Sequence, residues 1–310
     1  MQSPLFNRES PNLIDPLAEI VMLLQPSALF SKTLIGAGSW HITPPDTRQP
    51  FYGVILEGGC RLSVDGHAPI RGQTGDFILI PVAHHLEVTS RDPPAEDEES
   101  PFLALGDNQF RVGVQSGPID LRMLIGHCSF ASPDGDLLVS LLPQHVHVHG
   151  AWRLAQLVKL VGEESRAQRP AREVVLSRLL EVLFIEALRS TAETATSQGL
   201  ARGLADPRIA RAIRAMHEQP AHAWTMADLA TEATLSRSAF FERFKRTVGV
   251  APMAYLLAWR MALAKRMLRQ NDSRIAEVAE RVGYNSASAF SVAFTRSAGQ
   301  SPARYARASN

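Results

Sequence analysis

Cysteine is almost absent: the 310 residues include two, Cys60 and Cys128. They do not form a CxxC pair, so neither a disulfide framework nor a zinc finger is supported. Long apolar runs are missing as well, and no stretch approaches the roughly 20 residues needed to span a bilayer. Met1 to Ser10 lack the basic-then-apolar pattern of a secretion signal. These absences point to a cytoplasmic protein with no membrane partner. Net charge is also nearly absent, at +1, but that balance hides a division. Residues 207–310 hold 16 Lys/Arg against 7 Asp/Glu, a balance of +9, while residues 1–206 hold 16 against 24, a balance of −8. A basic C-terminal third suits a polyanion and an acidic remainder does not, so DNA contact is assigned to one end.

The most informative feature present is a passage written twice. Leu229-Ala230-(x9)-Phe240-(x3)-Phe244-(x4)-Gly249-(x2)-Pro252-(x2)-Tyr255 returns as Val278-Ala279-(x10)-Phe290-(x3)-Phe294-(x4)-Gly299-(x2)-Pro302-(x2)-Tyr305. From the first Phe onward the offset is 50 residues, and the second copy has one extra residue in its turn. Each copy reads as a helix, a short turn and a second helix, the unit that enters a DNA major groove. Thr225 to Asp228 matches a capping box. Ser236 caps the second helix of copy one, and Asn285 or Ser286 that of copy two. The units span 225–248 and 274–298, and a helix over about 252–270 joins them. At about 1.5 Å per residue it is roughly 28 Å long, near the roughly 34 Å between successive major grooves on one face of DNA.

Helical periodicity separates the two faces. With about 100° per residue, Phe240 and Phe244 point inward, while Ser238, Glu242 and Lys245 point outward, flanked by Phe241 and Arg246. In copy two Phe290 and Phe294 point inward; Ser288, Val292 and Thr295 point outward, flanked by Ser291 and Arg296. The outward sets, with Ser236, Arg237 and Ser286 at the helix starts, are the candidates for DNA contact, the basic members serving phosphates in part.

The rest of the chain has another texture. Asp15–Leu24 has a helical pattern with Leu17, Ile20, Val21 and Leu24 on one face. From Phe30 to His149, short apolar runs (Phe51–Leu56, Arg61–Val64, Phe77–Ile80, Leu121–Ile125) alternate with turns such as Glu57-Gly58-Gly59 and Asp65-Gly66. That punctuation predicts an antiparallel sandwich or barrel, with Asp92–Pro101 as a solvated loop. Residues 151–167 and 171–190 predict a helical hairpin broken at Pro170, with Val175, Leu179, Val182, Leu183 and Ile185-Glu186-Ala187 on a wide apolar face. The expected division is a β domain at 1–149, the hairpin at 150–190, a Thr/Ala/Ser/Gly-rich linker at 191–206 and the DNA-binding domain at 207–310. The fold class is α+β multidomain.

Val282-Gly283-Tyr284-(x5)-Phe290-(x3)-Phe294-(x4)-Gly299-(x1)-Ser301-Pro302-(x2)-Tyr305 closely resembles the signature of the AraC/XylS family of bacterial transcriptional regulators. Copy one departs from copy two by having Thr234 in the turn where copy two has Gly283. The resemblance implies promoter binding and activation through contact with RNA polymerase. Phe51–Gly58, Asp65-Gly66 and Gly75–Pro81 followed by His84-His85 resemble the cupin-type sensor domain of one branch of that family. There the helical hairpin often serves dimerisation, so a homodimer responding to a small-molecule effector is expected. Trp40, His41, Tyr52, His84 and His85 are the candidate pocket residues.

No enzyme, cofactor or metal is expected. Catalytic cupins hold a metal with an HxH pair, a Glu and a distant His, whereas Phe51-Tyr52 occupies the corresponding stretch here. His145, His147 and His149 share one strand face, a geometry that can hold a divalent metal, against the reading of solvated histidines at a strand end. Cys60 and Cys128 read as buried small hydrophobes rather than redox sensors. The alternative readings are a cupin-type metal enzyme with an attached regulatory domain, and a repressor that answers to no effector.

Overall fold

The computed structural model describes residues 15–44, 49–95, 100–130, 139, 141–167, 169–191, 198–270 and 274–308. Helix α1 (Pro16–Leu24) starts where Asp15 accepts the Leu17 and Ala18 amides and Pro16 takes the first helical position. Among the described residues ten strands follow: β1 (Pro26–Ala37), β2 (His41–Ile42), β3 (Phe51–Val64), β4 (Ile70–Gln73), β5 (Phe77–Ile80), β6 (Leu86–Ser90), β7 (Phe102–Gly106), β8 (Gln109–Gly113), β9 (Leu121–Phe130) and β10 (Val146–Val148). They form a sheet in the order β10-β5-β3-β9-β1-β8-β7, with β4 and β6 on β3 and β2 on β6. The expected antiparallel pairing holds among these strands except where β1 runs parallel to β8.

Strand β3 decides the shape. Glu57-Gly58-Gly59, which reads as a turn in the sequence, is a bend inside one 14-residue strand. The register against β9 slips between Ile55 and Glu57. Gly58 has φ +78°, and a Cβ there would lie 1.6 Å from the Asp120 carbonyl oxygen, so only glycine fits. Before the bend β3 pairs with β5 and β9; beyond it, with β4 and β6. The sheet therefore curls around a core that includes Leu34, Trp40, Phe51, Ile55, Leu62, Ile78 and Met123.

Its other face carries Tyr52, Val54, Phe77, Leu79 and Val146, in a second core shared with α1 and the hairpin α2 (Trp152–Arg166) and α3 (Arg172–Thr191). The hairpin forms as expected, and Leu183 and Ala187 of the expected face of α3 are buried, but the covered stripe is turned away from the rest of that face. Leu176, Leu180, Phe184 and Leu188 are buried, whereas Val175 and Val182 are exposed. A helix apolar on most of its circumference has no periodicity to say which stripe is covered.

The remaining helices are α4 (Leu200–Ala205), α5 (Pro207–Glu218), α6 (Met226–Glu232), α7 (Arg237–Val248), α8 (Pro252–Gln270), α9 (Ile275–Arg281), α10 (Ala287–Ala298) and α11 (Pro302–Ala308). Helix α4 corrects the expected linker: Leu200 and Ala201 are buried, and the helix packs on α5 and α7. Residues 192–197 of that linker, and 96–99 of the expected 92–101 loop, lie outside the described residues. Helix α1 packs on both α3 and α5, so one element touches the N-terminal half and the helical C-terminal third. Among the described residues no single helix is long and apolar enough to cross a membrane.

Candidate nucleic-acid interface

Two helix-turn-helix units, α6–α7 and α9–α10, repeat the same construction. The Thr225–Asp228 capping box is formed in both directions: the Asp228 amide donates to Thr225 Oγ1 at 3.2 Å and the Thr225 amide to Asp228 Oδ2 at 2.9 Å. The hydroxyls of Ser236 and Ser286 accept the Ala239 and Ala289 amides at 3.3 and 3.1 Å, so Ser286 rather than Asn285 is the cap of copy two. Gly249 and Gly299 end the two recognition helices in the left-handed conformation. Phe240, Phe244, Phe290 and Phe294 are fully buried. Each turn needs positive φ, +52° at Thr234 and +82° at Gly283.

The outward sets are exposed side by side. Ser236, Arg237, Ser238, Glu242, Lys245 and Arg246 are exposed on α7 and its cap, with Phe241 half-buried among them. On α10 and its cap, Ser286, Ser288, Val292, Thr295 and Arg296 are exposed and Ser291 half-buried. Val292, 73% exposed, is the most open large apolar side chain among the described residues. With Arg296, Leu257 and Met261, it also lines a groove of about 790 Å³ between α8 and α10.

The units are held differently. Arg260, on α8, donates to the carbonyls of Pro220 and His222 at 2.8 and 2.7 Å, and fixes the loop before α6 against the Gly283 turn of the other unit. Asp206 caps α5 and pairs with Arg243 of α7 at 2.5 Å. Burial pushes the Asp206 carboxyl up, but Arg243 and the Arg208 and Ile209 amides outweigh it and hold it below the usual value. The longest-range link is His217 on α5. Its Nδ1 lies 2.7 Å from Glu19 Oε2 of α1, its Nε2 2.8 Å from the Tyr255 hydroxyl, and its ring stacks 3.8 Å from that of Trp259. A carboxylate only accepts, so Nδ1 donates to Glu19 and Nε2 accepts from Tyr255. Burial holds the His217 pKa below its ordinary value, against the opposing pull of Glu19, and holds the Tyr255 hydroxyl well above its own. The neutral tautomer and protonated phenol fit these bonds. No sequence signal marks this link, because Glu19 and His217 stand 198 residues apart.

The five candidate pocket residues are not brought together. Trp40 is buried inside the curl, and its indole nitrogen has no hydrogen-bond partner among the described residues. Tyr52 is buried on the opposite face, towards the helices. His41 is buried on β2. His84 and His85 are exposed in the β5–β6 connection, where both amides donate to Asp65 Oδ1. Cys60 and Cys128 are buried free thiols on opposite faces of the sheet. Burial raises both pKa values, that of Cys60 to about 12, so neither is a reactive thiolate. Among the described residues, one His/Asp group has metal-ligand spacing: Asp76, His147 and His149, without His145.

Comparison with known families matches residues 15–193 to a cupin domain and residues 229–308 to a helix-turn-helix domain. The chain is 34% identical to an AraC-like transcription regulator of Streptomyces antibioticus over 300 residues, covering 94% of this chain and 98% of that protein. It is 26% identical to the RCS-specific HTH-type transcriptional activator RclR of Escherichia coli K12, covering 94% of this chain and 97% of that one. Among solved structures, the DNA-binding domain of the global transcriptional factor AdpA in complex with a target DNA is 34% identical. That match covers 32% of this chain and 89% of AdpA's domain, with a TM-score of 0.31.

Proposed function

The chain belongs to the AraC-like transcriptional regulators, DNA-binding proteins with a cupin-type N-terminal domain, and from that premise we propose that it is a ligand-responsive activator. The observation that carries the reading is the pair of serine-capped recognition helices, each with its Phe pair buried and its polar face open. Ser236, Arg237, Ser238, Phe241, Glu242, Lys245 and Arg246 contact one major groove of a promoter. Ser286, Ser288, Ser291, Val292, Thr295 and Arg296 contact the next. Residues 207–310 act as the DNA-binding domain, and RNA polymerase is the activation partner. The similarity to a protein named as an activator supports that sign of regulation. A role at promoters supports a cytoplasmic location, where chromosomal DNA is reached.

The curled sheet acts as a sensor for a small molecule or chemical stress, not as an enzyme; Phe51-Tyr52 stands where a catalytic cupin has its HxH pair. Trp40 and Tyr52, each with a buried polar atom that has no hydrogen-bond partner among the described residues, are the strongest of the pocket candidates, on opposite faces of the sheet. His41 lies next to Trp40 in sequence. The signal travels through α1, because Glu19 reaches His217 and His217 reaches Tyr255 at the end of the first unit. The chain dimerises through the hairpin, where Val174, Val175 and Val182 lie exposed along α3.

Genome-wide occupancy of the tagged protein, combined with transcripts from wild-type and deletion strains, tests the reading. Sharp peaks beside genes whose transcripts fall on deletion are expected. Peaks beside genes whose transcripts rise would make the protein a repressor.

A further inference from the structure

The sequence leaves the histidine run at 145–149 open between a metal site and a solvated strand end, and the fold gives it a partner that the run does not contain. Strand β10 pairs antiparallel with β5 in the register Val146↔Leu79, His147↔Ile78, Val148↔Phe77. One step further along the same register, His149 stands opposite Asp76. Alternation sends Val146, Phe77 and Leu79 to the helix-packed core. Asp76, His147 and His149 therefore share the other face with Ile78 and Ile80, which belong to the core inside the curl.

There the donors converge. Asp76 is 1% exposed; its Oδ2 lies 2.9 Å from His147 Nε2 and its Oδ1 2.9 Å from His149 Nδ1. The three ligand atoms lie within 4.8 Å of one another, and the ring centroids are 4.4 Å apart at 61°. Two hydrogen bonds alone would fasten β10 to the sheet, but that role needs only one imidazole. Asp76 Oδ2 already takes the Gln73 amide at 3.0 Å besides His147. His149, with its side chain 67% exposed, gains little from a bond at the water boundary. Its convergence on the second carboxylate oxygen is what a cation requires. Among the described residues, no Lys or Arg forms an ion pair with this buried carboxylate.

We propose that Asp76, His147 and His149 are the ligands of a borderline divalent cation, Zn²⁺ foremost. Two imidazole nitrogens and one carboxylate oxygen match that metal, with the remaining position open to solvent beside His149. His147-Val148-His149 is itself an HxH pair, but it lies on β10 and is joined by an aspartate, whereas a catalytic cupin adds a Glu and a distant His to its pair. The set also differs from the sequence-level trio, because Asp76 replaces His145. The ion takes the place of the two N–H protons directed at the carboxylate, each neutral imidazole carrying its one proton on the other ring nitrogen instead. The site sits where the sheet hands over to the hairpin: the Ala151 amide donates to the Gly75 carbonyl at 2.9 Å, and α2 begins at Trp152. Bound metal thus fastens the start of α2 to the β4–β5 turn.

The test uses the full-length chain stripped with a chelator, then titrated with Zn²⁺ against a chromogenic competitor and with Co²⁺ by its visible d–d absorption. One equivalent per chain is expected, with a thermal midpoint that rises on addition of metal. Loss of an outer-sphere partner commonly costs 10–100-fold in affinity, so loss of a ligand in H149Q or H147Q costs about 100-fold or more. H145Q binds as the wild type does. Because His149 is largely exposed, H149Q keeps the chelated wild type's midpoint, which separates lost ligation from lost folding. The proposal is overturned if the wild type takes up no metal at micromolar concentration. Retained binding in the H147Q/H149Q double variant, or an equal loss in H145Q, overturns it too.

Discussion

Tyr255 and Tyr305 hold equivalent places after the two recognition helices, each packed edge-on against the second Phe of its own unit. Their hydroxyls keep different company. Tyr255 donates to His217 and through it meets Glu19 of the N-terminal helix, whereas Tyr305 accepts from Arg269 of the connecting helix. The first unit is also clasped by Asp206–Arg243 and by α4, which packs on α7. Its outward face carries Arg237, Glu242, Lys245 and Arg246, while that of the second is Ser288, Val292, Thr295 and Arg296. One local template has thus been used twice with different wiring. The tyrosine after the first unit, itself on the connecting helix α8, is tied to α1 of the N-terminal domain, and the tyrosine after the second unit is tied to α8.

The most severe way to probe that asymmetry is to empty each core in turn. Phe240→Ala and Phe290→Ala each remove a fully buried ring and are expected to cost about 3–5 kcal/mol. The consequences should differ in reach. Hydrogen exchange in Phe240→Ala should accelerate in α1 as well as in α6–α7; in Phe290→Ala it should accelerate only in α9–α11. Equal acceleration of α1 in both would mean that the units are not differently coupled.

His217→Gln comes next, at about 2–3 kcal/mol, because it breaks a bond to a charged group and disturbs the Tyr255 hydroxyl. The pH dependence has a definite sign. Burial depresses the folded pKa below 6.5, so the unfolded chain takes up the proton first. The stability contributed by His217 is complete above about 6.5 and falls as pH drops towards the depressed folded value. His127, pushed down to about 4 by burial and Lys32, acts in the same direction. The useful quantity is therefore the difference between wild type and variant in urea unfolding, which should shrink on acidification. A constant difference would remove His217 as the titrating link.

That link also marks how far sequence reasoning reaches. The capping serines, Phe pairs and open faces of both units were legible because each depends on contacts within a few residues, where the helical period is a sufficient guide. The linker assignment missed α4 because two apolar residues, Leu200 and Ala201, decide its burial against helices elsewhere in the chain. The bend of β3 at Gly58 looks like a turn until the Asp120 carbonyl behind it is known. Tyr52 and Trp40 looked like one pocket, but strand alternation and the curl place them on opposite faces. The histidines close to Asp76 in sequence, such as His84 and His85, are not its partners; only the β5–β10 register supplies those.

The recognition faces give a smaller, more selective effect. Lys245→Ala should weaken binding to all sequences similarly and lower the slope of log affinity against log salt by about 1. Val292→Ser should leave that slope unchanged and alter preference within the second half of the site, by about 1 kcal/mol if it meets a thymine methyl. Fluorescence anisotropy over a salt series, on two operators differing in that half, separates the two. A changed slope in Val292→Ser would assign a phosphate role to the second unit as well.

The smallest effect concerns the two turns. Thr234 is β-branched and sits at φ +52°, where its counterpart is Gly283 at φ +82°. The left-handed conformation costs a non-glycine residue roughly 1–2 kcal/mol. Thr234→Gly recovers that strain but adds unfolded-chain entropy of roughly 0.5–1 kcal/mol. It also loses the exposed bond from Arg211 to Thr234 Oγ1 at 2.9 Å. The expected net gain is about 0.5 kcal/mol, readable as a small rise in the urea midpoint at unchanged slope. The reverse exchange is not symmetric. A Cβ at Gly283 would lie 2.7 Å from Arg260 Nη2 and 2.9 Å from the Ala221 carbonyl oxygen. Gly283→Thr must therefore displace the side chain that positions the two units, and should lose more than Thr234→Gly gains. Equal and opposite shifts would mean that the turns are interchangeable and that the asymmetry between the units lies only in their long-range partners.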